Sequence, residues 1–248
     1  MANANQGNRI LGEHKVDLMR ERAILNPQSY IRFWDDFHNW DAGASWALAG
    51  TGAGTAVNRD ALGGWASLVT GNSDNNEVYA SSIGEDFIFD TTRHVYFALK
   101  CNVASTSTTG VSSFCAGLSS VAAADTIVDG GGTVVTTFDG CLFLKPEGTT
   151  EDDDWIVTVS NAATQTIDTT SFVGDFTEAS DHTIEFFYHP NDGTTGKIVP
   201  IVDGKMADAI DITISGLEEM HVVMGAKAHE GVAQVNSFVD WVEVIQER

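Results

Sequence analysis

The chain predicts an all-β protein, an antiparallel two-sheet sandwich of the jelly-roll kind, preceded by an N-terminal arm that contains a short helix. Three observations carry this. Alternating apolar and polar residues recur in short segments from residue 31 to residue 248, with little helical periodicity among them. Glycine is abundant at 24 and proline scarce at 4, the balance of many short strands joined by glycine turns. The stretch from His182 to Lys205 reads as strand, turn, strand, turn. In it Ile184, Phe186 and Tyr188 take one face and Thr183, Glu185 and Phe187 the other. Pro190-Asn191-Asp192-Gly193 reverses the chain, and Ile198 to Val202 returns to a second turn at Asp203-Gly204.

Taken in order, residues 1–30 form the arm and residues 31–248 a single domain without repeat or linker. Within the arm, Leu11, Leu18 and Leu25 recur at helical spacing until Pro27 stops them. In IRFWDDFHNWD, Ile31, Phe33 and Phe37 alternate with Arg32, Asp36 and His38, which predicts a strand. Residues 43–54 read as loop and short strand. Strands are expected over residues 62–70 and 77–83, with a shorter piece over 87–90. Residues 93–103 give the longest alternation, with Val95, Phe97, Leu99, Cys101 and Val103 on one face; its expected partner is residues 111–121. A loop over 122–132 follows, then short strands over 134–138 and 141–144, and further ones over 155–160 and 163–172. After the central hairpin come 209–214, 221–224 and the closing strand 237–246. That last strand is apolar on both sides, Phe238, Val242 and Val244 against Val239, Trp241 and Ile245. It should lie inside the sandwich or under a covering segment.

The net charge is −22, which repels phosphate backbones and speaks against nucleic-acid binding. Residues 1–32 hold five cations (Arg9, Lys15, Arg20, Arg22, Arg32) and three anions (Glu13, Asp17, Glu21). They carry +2 and leave −24 for the rest. Two readings of the arm stay open: a clamp onto an acidic surface of a neighbour, or an amphipathic leader with ordinary solubilising charge. Cys101, Cys115 and Cys141 form no disulfide framework; buried free thiols are expected, although a hairpin loop at 104–110 would set Cys101 across from Cys115. The start of the chain lacks a signal peptide's apolar core, and no apolar run approaches the ~18 residues of a membrane span. A protein made in the cytoplasm, with no membrane partner, is the expectation.

Few motifs point to chemistry. There is no Gly-x-Ser-x-Gly, no His-Glu-x-x-His and no Walker loop. The glycines of 50–54 lack the strand and helix that a dinucleotide fingerprint needs. Acids four apart, Asp181 with Glu185 and Glu147 with Glu151, are weighed as a glycosidase pair, but each set belongs to a turn or loop. Two acidic loops, Glu151 to Asp154 and Asn72 to Glu77, have the oxygen ligands a calcium ion takes, yet lack the EF-hand pattern. Trp34, Trp40, Trp46 and Trp65 are expected in the core rather than exposed for sugar stacking, and His182, His189, His221 and His229 show no ligand spacing. No catalytic residue, metal or cofactor is assigned.

The segments FWDDF, LGGWASLVTG, DGCLFLKPEG, HTIEFFYHP with GKIVPIVDGK, and FVDWVEVIQ resemble those of concanavalin A-like, laminin-G-like jelly rolls. Their combination is most similar to versions in head decoration, or cement, proteins of tailed bacteriophages. That resemblance implies a non-enzymatic virion structural protein on the capsid exterior. It would stabilise contacts of the major capsid protein, its partner, as a homo-oligomer (dimer or trimer). Arg9, Lys15, Leu18, Arg20 and Arg22 of the arm would grip neighbours. The family's lectin members bind sugar through loop Asp and Asn residues with calcium. A lectin-like module for host-surface glycans is therefore the alternative function.

Overall fold

A computed structural model describes residues 19–52, 54–59, 64–84, 87–105, 112–123, 126–127, 134, 138–146, 155–161, 164–168, 179–191, 193–229 and 235–248. Residues 19–25 are helical, and a 3-10 turn at Pro27–Ser29 leads into the strands. In chain order these are β1 (Tyr30–Asp35), β2 (Trp46–Ala49), β3 (Thr55–Arg59), β4 (Trp65–Val69), β5 (Glu77–Ser82), β6 (Val95–Ser105), β7 (Ser112–Ser119) and β8 (Asp139–Lys145). They continue as β9 (Ile156–Asn161), β10 (Thr164–Asp168), β11 (Asp181–Pro190), β12 (Thr195–Val202), β13 (Lys205–Met206), β14 (Ile210–Thr213), β15 (His221–Ala228) and β16 (Val235–Glu247).

Among the described residues the strands form two antiparallel sheets. One has nine strands in the order β13-β12-β11-β6-β16-β4-β3, with β14 also on β12 and β1 also on β16. The other has seven, β10-β9-β8-β7-β15-β5-β2. The first and last strands pair, Tyr30 opposite Glu247, so β1 and β16 lie side by side in the nine-stranded sheet. Between the sheets sits one apolar core. Phe97, Leu99, Ile184, Phe186, Tyr188, Val242 and Val244 from one side meet Phe114, Leu118, Phe143, Trp155, Val222 and Met224 from the other. Area removed from water on this scale is the main stabilising contribution.

The central hairpin folds as its pattern predicts. β11 pairs β12 with Phe186 opposite Pro200, and Ile184, Phe186 and Tyr188 are fully buried. Asp203 and Gly204 both have positive φ (49° and 72°), the two-residue turn whose twist matches a hairpin, and β13 follows at once.

Three expectations need correction. Residues 112–119 do not pair with β6: β7 lies in the other sheet, between β15 and β8, while β6 lies between β11 and β16. Cys101 therefore faces the central core and Cys115 the outside of the seven-stranded sheet, both as free thiols. The closing strand does not keep one alternation. A bulge between Val239 and Trp241 shifts the register, so Val239 joins Val242 and Val244 in the core. And the piece at 87–90 forms a single bridge, Phe87 to Met220, rather than a strand. β3 was not legible at all.

Candidate functional site

The outer face of the nine-stranded sheet is divided in two. One half is covered by the helix 19–25. Met19 and Ala23 are buried against Tyr96, Ala98, Phe187 and Ile245, with Tyr30 beside them. Arg20 donates from Nε to Glu243 Oε2 at 2.9 Å and from Nη2 to the Tyr96 hydroxyl at 2.9 Å, and sits 5.0 Å from the Tyr96 ring centre. The Tyr96 hydroxyl in turn donates to Glu185. Burial and the nearby Glu185 carboxylate hold Tyr96 protonated far above the ordinary phenol range. Glu243, almost fully buried, also accepts from Arg32 (2.8 Å). This cover is what a strand apolar on both faces requires.

The other half is open and aromatic. Trp34 of β1 and Trp241 of β16 stack with ring centres 5.6 Å apart and planes 18° apart, and Trp34 is 47% exposed. Arg32 lies over the Trp34 ring at 5.6 Å. Further along, Trp65 of β4 meets Phe238 edge-on at 6.1 Å. Lys100 of β6 lies over Trp65 at 5.8 Å and bridges Asp240 (2.8 Å) and Asp181 (3.1 Å). Asn102 donates to Asp181 at 3.0 Å. The hydrogen bonds from Asn102 and Lys100 hold the Asp181 carboxyl below its usual range, and Asp240 leads the effects that raise the Lys100 ammonium. The bulge at Asp240 is what places Asp240 and Trp241 together on this side. Flat aromatic rings flanked by fixed carboxylates, an amide and an ammonium can stack on an apolar ring face and hydrogen-bond its hydroxyls.

Of the tryptophans expected in the core, Trp46 is fully buried, with Nε1 donating to Asp35 at 2.8 Å, and Trp40 stacks on it at 5.5 Å. Trp34 is not in the core. Alternation itself puts it outside: Ile31 and Phe33 point inward, so Trp34 shares the phase of Arg32. Trp241 carried no such signal, because the bulge changes its phase.

The other candidates fall elsewhere. Asp181 and Glu185 share one face of β11 but are separated by roughly 13 Å of strand, and each is tied to its own partners, so they do not flank one scissile bond. Glu147 and Glu151 to Asp154 lie outside the described residues. Glu77, from the other acidic loop, turns onto the outer face of the seven-stranded sheet. There it accepts from the Tyr79 hydroxyl (2.9 Å) and lies 3.5 Å from Lys227, both ions sealed from solvent. Among the described residues no group of three or more His, Cys, Asp or Glu is placed to hold a metal ion. The histidines bond locally: His182 to Asp203, His189 to His94, His221 to the Gly84 carbonyl and His229 to Ser113. Of the arm residues, Arg20 is bound to the chain's own sheet and Arg22 is exposed; Arg9, Lys15 and Leu18 lie outside the described residues. No helix among the described residues is long and apolar enough to cross a membrane.

No protein-family model matches the chain, and no curated protein matches it. Solved structures do. The potassium-bound carbohydrate recognition domain of Emp46p aligns with TM-score 0.56 at 10% identity, over 85% of this chain and 94% of that one. Peanut lectin aligns with TM-score 0.56 at 10% identity, over 88% and 97%. An endo-1,3-beta-glucanase from Streptomyces sioyaensis aligns with TM-score 0.58 at 11% identity, over 89% and 98%. At such identities the likeness speaks to fold alone, and the fold is the concanavalin A-like jelly roll.

Proposed function

We propose that this chain is a non-catalytic binding module that takes a glycan on the open half of its nine-stranded sheet. The observation that carries the reading is the Trp34–Trp241 stack, with Trp34 exposed and Trp241 half-buried, continued by Trp65 and flanked by Lys100, Asp240, Asp181 and Asn102. An exposed tryptophan backed by a second ring is costly to keep unless something covers it, and a pyranose ring has the apolar face and hydroxyl rim to do so. The lectin and carbohydrate-recognition neighbours support this reading. The glucanase neighbour raises the question of hydrolysis, but the one described acid pair that was a candidate, Asp181 with Glu185, is split between separate partners. Screening the full chain on a glycan array with and without chelator tests the reading. Binding is expected to survive the chelator, since the face offers rings and hydrogen bonds. Trp34→Ala should weaken binding to a retained glycan about tenfold, on the order of 1.4 kcal/mol.

A second reading, a decoration protein on a phage capsid, is favoured by the helix 19–25. It turns Ile24 (65% exposed) and Leu25 (82%) to solvent beside Arg22, apolar and basic groups that suit a protein neighbour. Its partner would be the major capsid protein and its place the virion exterior.

A further inference from the structure

We propose that the helix 19–25 and the patch of sheet beneath it form an exchangeable joint, through which two copies of this chain associate by trading N-terminal helices.

The joint is made by one helix face. Met19 and Ala23 fill the hollow between Tyr96, Ala98, Phe187 and Ile245, and Arg20 reaches Glu243 and Tyr96. None of these interactions requires the helix and the sheet to belong to one chain. The described helix is tied to the body by a short connection. Residues 26–29 comprise Asn26 and a single 3-10 turn with Pro27 at its start, and Asn26 is already out of helical geometry at φ −137°, ψ 73°. Straightening this turn carries the helix off its own sheet while β1 stays paired to β16. The helix–sheet packing broken within one copy re-forms between the two, which is why exchange of an element is a low-cost route to a dimer.

The second observation says what the exchange gains. Ile24 and Leu25 are the most exposed large apolar side chains among the described residues, and both adjoin the hinge. In a two-fold exchanged pair the two hinges run past each other at this point. Ile24 and Leu25 of one copy then meet those of the other and leave water. The Arg20–Glu243 pair is exchanged like for like, so it holds the joint together in either arrangement, and the electrostatic change on association is the repulsion between two strongly acidic bodies. Salt screens the repulsion of the bodies and leaves the apolar packing, so association should strengthen as ionic strength rises.

The test uses full-length chains. One carries Ala23→Cys and the other Ala98→Cys, two positions of one buried cluster; the native thiols are all buried. Mixing the two and oxidising them should give a covalent heterodimer whose yield rises with protein concentration and with salt. Adding Ile24→Asp and Leu25→Asp to both chains should cut that yield about tenfold without changing the circular dichroism spectrum. A double Ala23→Cys, Ala98→Cys chain that closes within itself, beside a mixture that stays monomeric, overturns the proposal. So does a heterodimer indifferent to the two aspartates. Light scattering on the unaltered chain is an independent reading: a monomer at every concentration up to about 1 mM, a range in which even weak pairs form, overturns it whatever the thiols do.

Discussion

Lys227 and Glu77 face each other across β15 and β5, and neither ion touches solvent. Their surroundings supply what a buried charge needs: Tyr79 donates to Glu77, Lys227 donates to the Ile127 carbonyl at 2.9 Å, and the Tyr79 hydroxyl accepts from the Ile127 amide at 2.9 Å. The Tyr79 ring lies on Gly225, where an added Cβ would fall 2.1 Å from the ring. That approach is why glycine stands there. Removing one member of such a pair leaves the other uncompensated. Lys227→Met should therefore lower the unfolding free energy by about 3–5 kcal/mol, measured by urea denaturation, and adding Glu77→Leu should restore most of it. A single variant as stable as the parent would mean the pair contributes little. The sequence did not disclose this pair, because Glu77 reads as the end of a polar loop and Lys227 lies beyond the expected strand 221–224. Only the register of the sheet joins them. Trp34 was expected in the core from its residue type, although its strand phase, shared with Arg32, sets it outside.

At the level of elements, the sequence was clearest where a local turn specifies the pairing. β11 and β12 follow from alternation and from the turn residues around Asn191 and Asp203, and the structure keeps the predicted faces. It was least clear where pairing is non-local. β6 and β7 are neighbours in the chain, yet β7 crosses to the other sheet, a choice decided by partners as distant as β15 and β16. The bulge in β16 was hidden for a similar reason: a run apolar at nearly every position does not show where one residue is added. The helix 19–25 answers part of the question that run posed, since it covers the outer apolar residue Ile245, with Trp241 half-buried at the edge of that cover. The capsid reading belongs to this element. A chain starting at Asn26 keeps the whole of β1, and on that reading it should no longer sediment with assembled capsids while the full chain does. Equal sedimentation of the two would contradict that reading.

Over the whole molecule, the packing that makes the sandwich also makes it sensitive to alkali. Burial pushes the thiols of Cys101, Cys115 and Cys141 up, Cys115 to about 12, and holds the hydroxyls of Tyr79, Tyr96 and Tyr188 protonated far above the ordinary phenol range. The unfolded chain releases these protons earlier than the folded one. Their contribution is therefore complete below the unfolded thiol value and is lost as pH rises above it. Each group weakens the fold by about 1.4 kcal/mol per pH unit, so the three thiols together remove on the order of 4 kcal/mol per unit above roughly pH 8.5. Urea denaturation at a series of pH values checks this; a midpoint unchanged between pH 8 and pH 10 would contradict it. The jelly roll itself was legible from strand density and turn chemistry. What it binds was not, because the aromatic face is assembled from β1, β4, β6 and β16, strands far apart in the chain. The most direct check of that face is calorimetric titration of a glycan retained on the array into the full chain and into Trp34→Ala with Trp241→Ala. Saturable binding to the parent, lost in the double variant while its urea midpoint stays near the parent's, is the predicted result. Equal affinity in both proteins would contradict it.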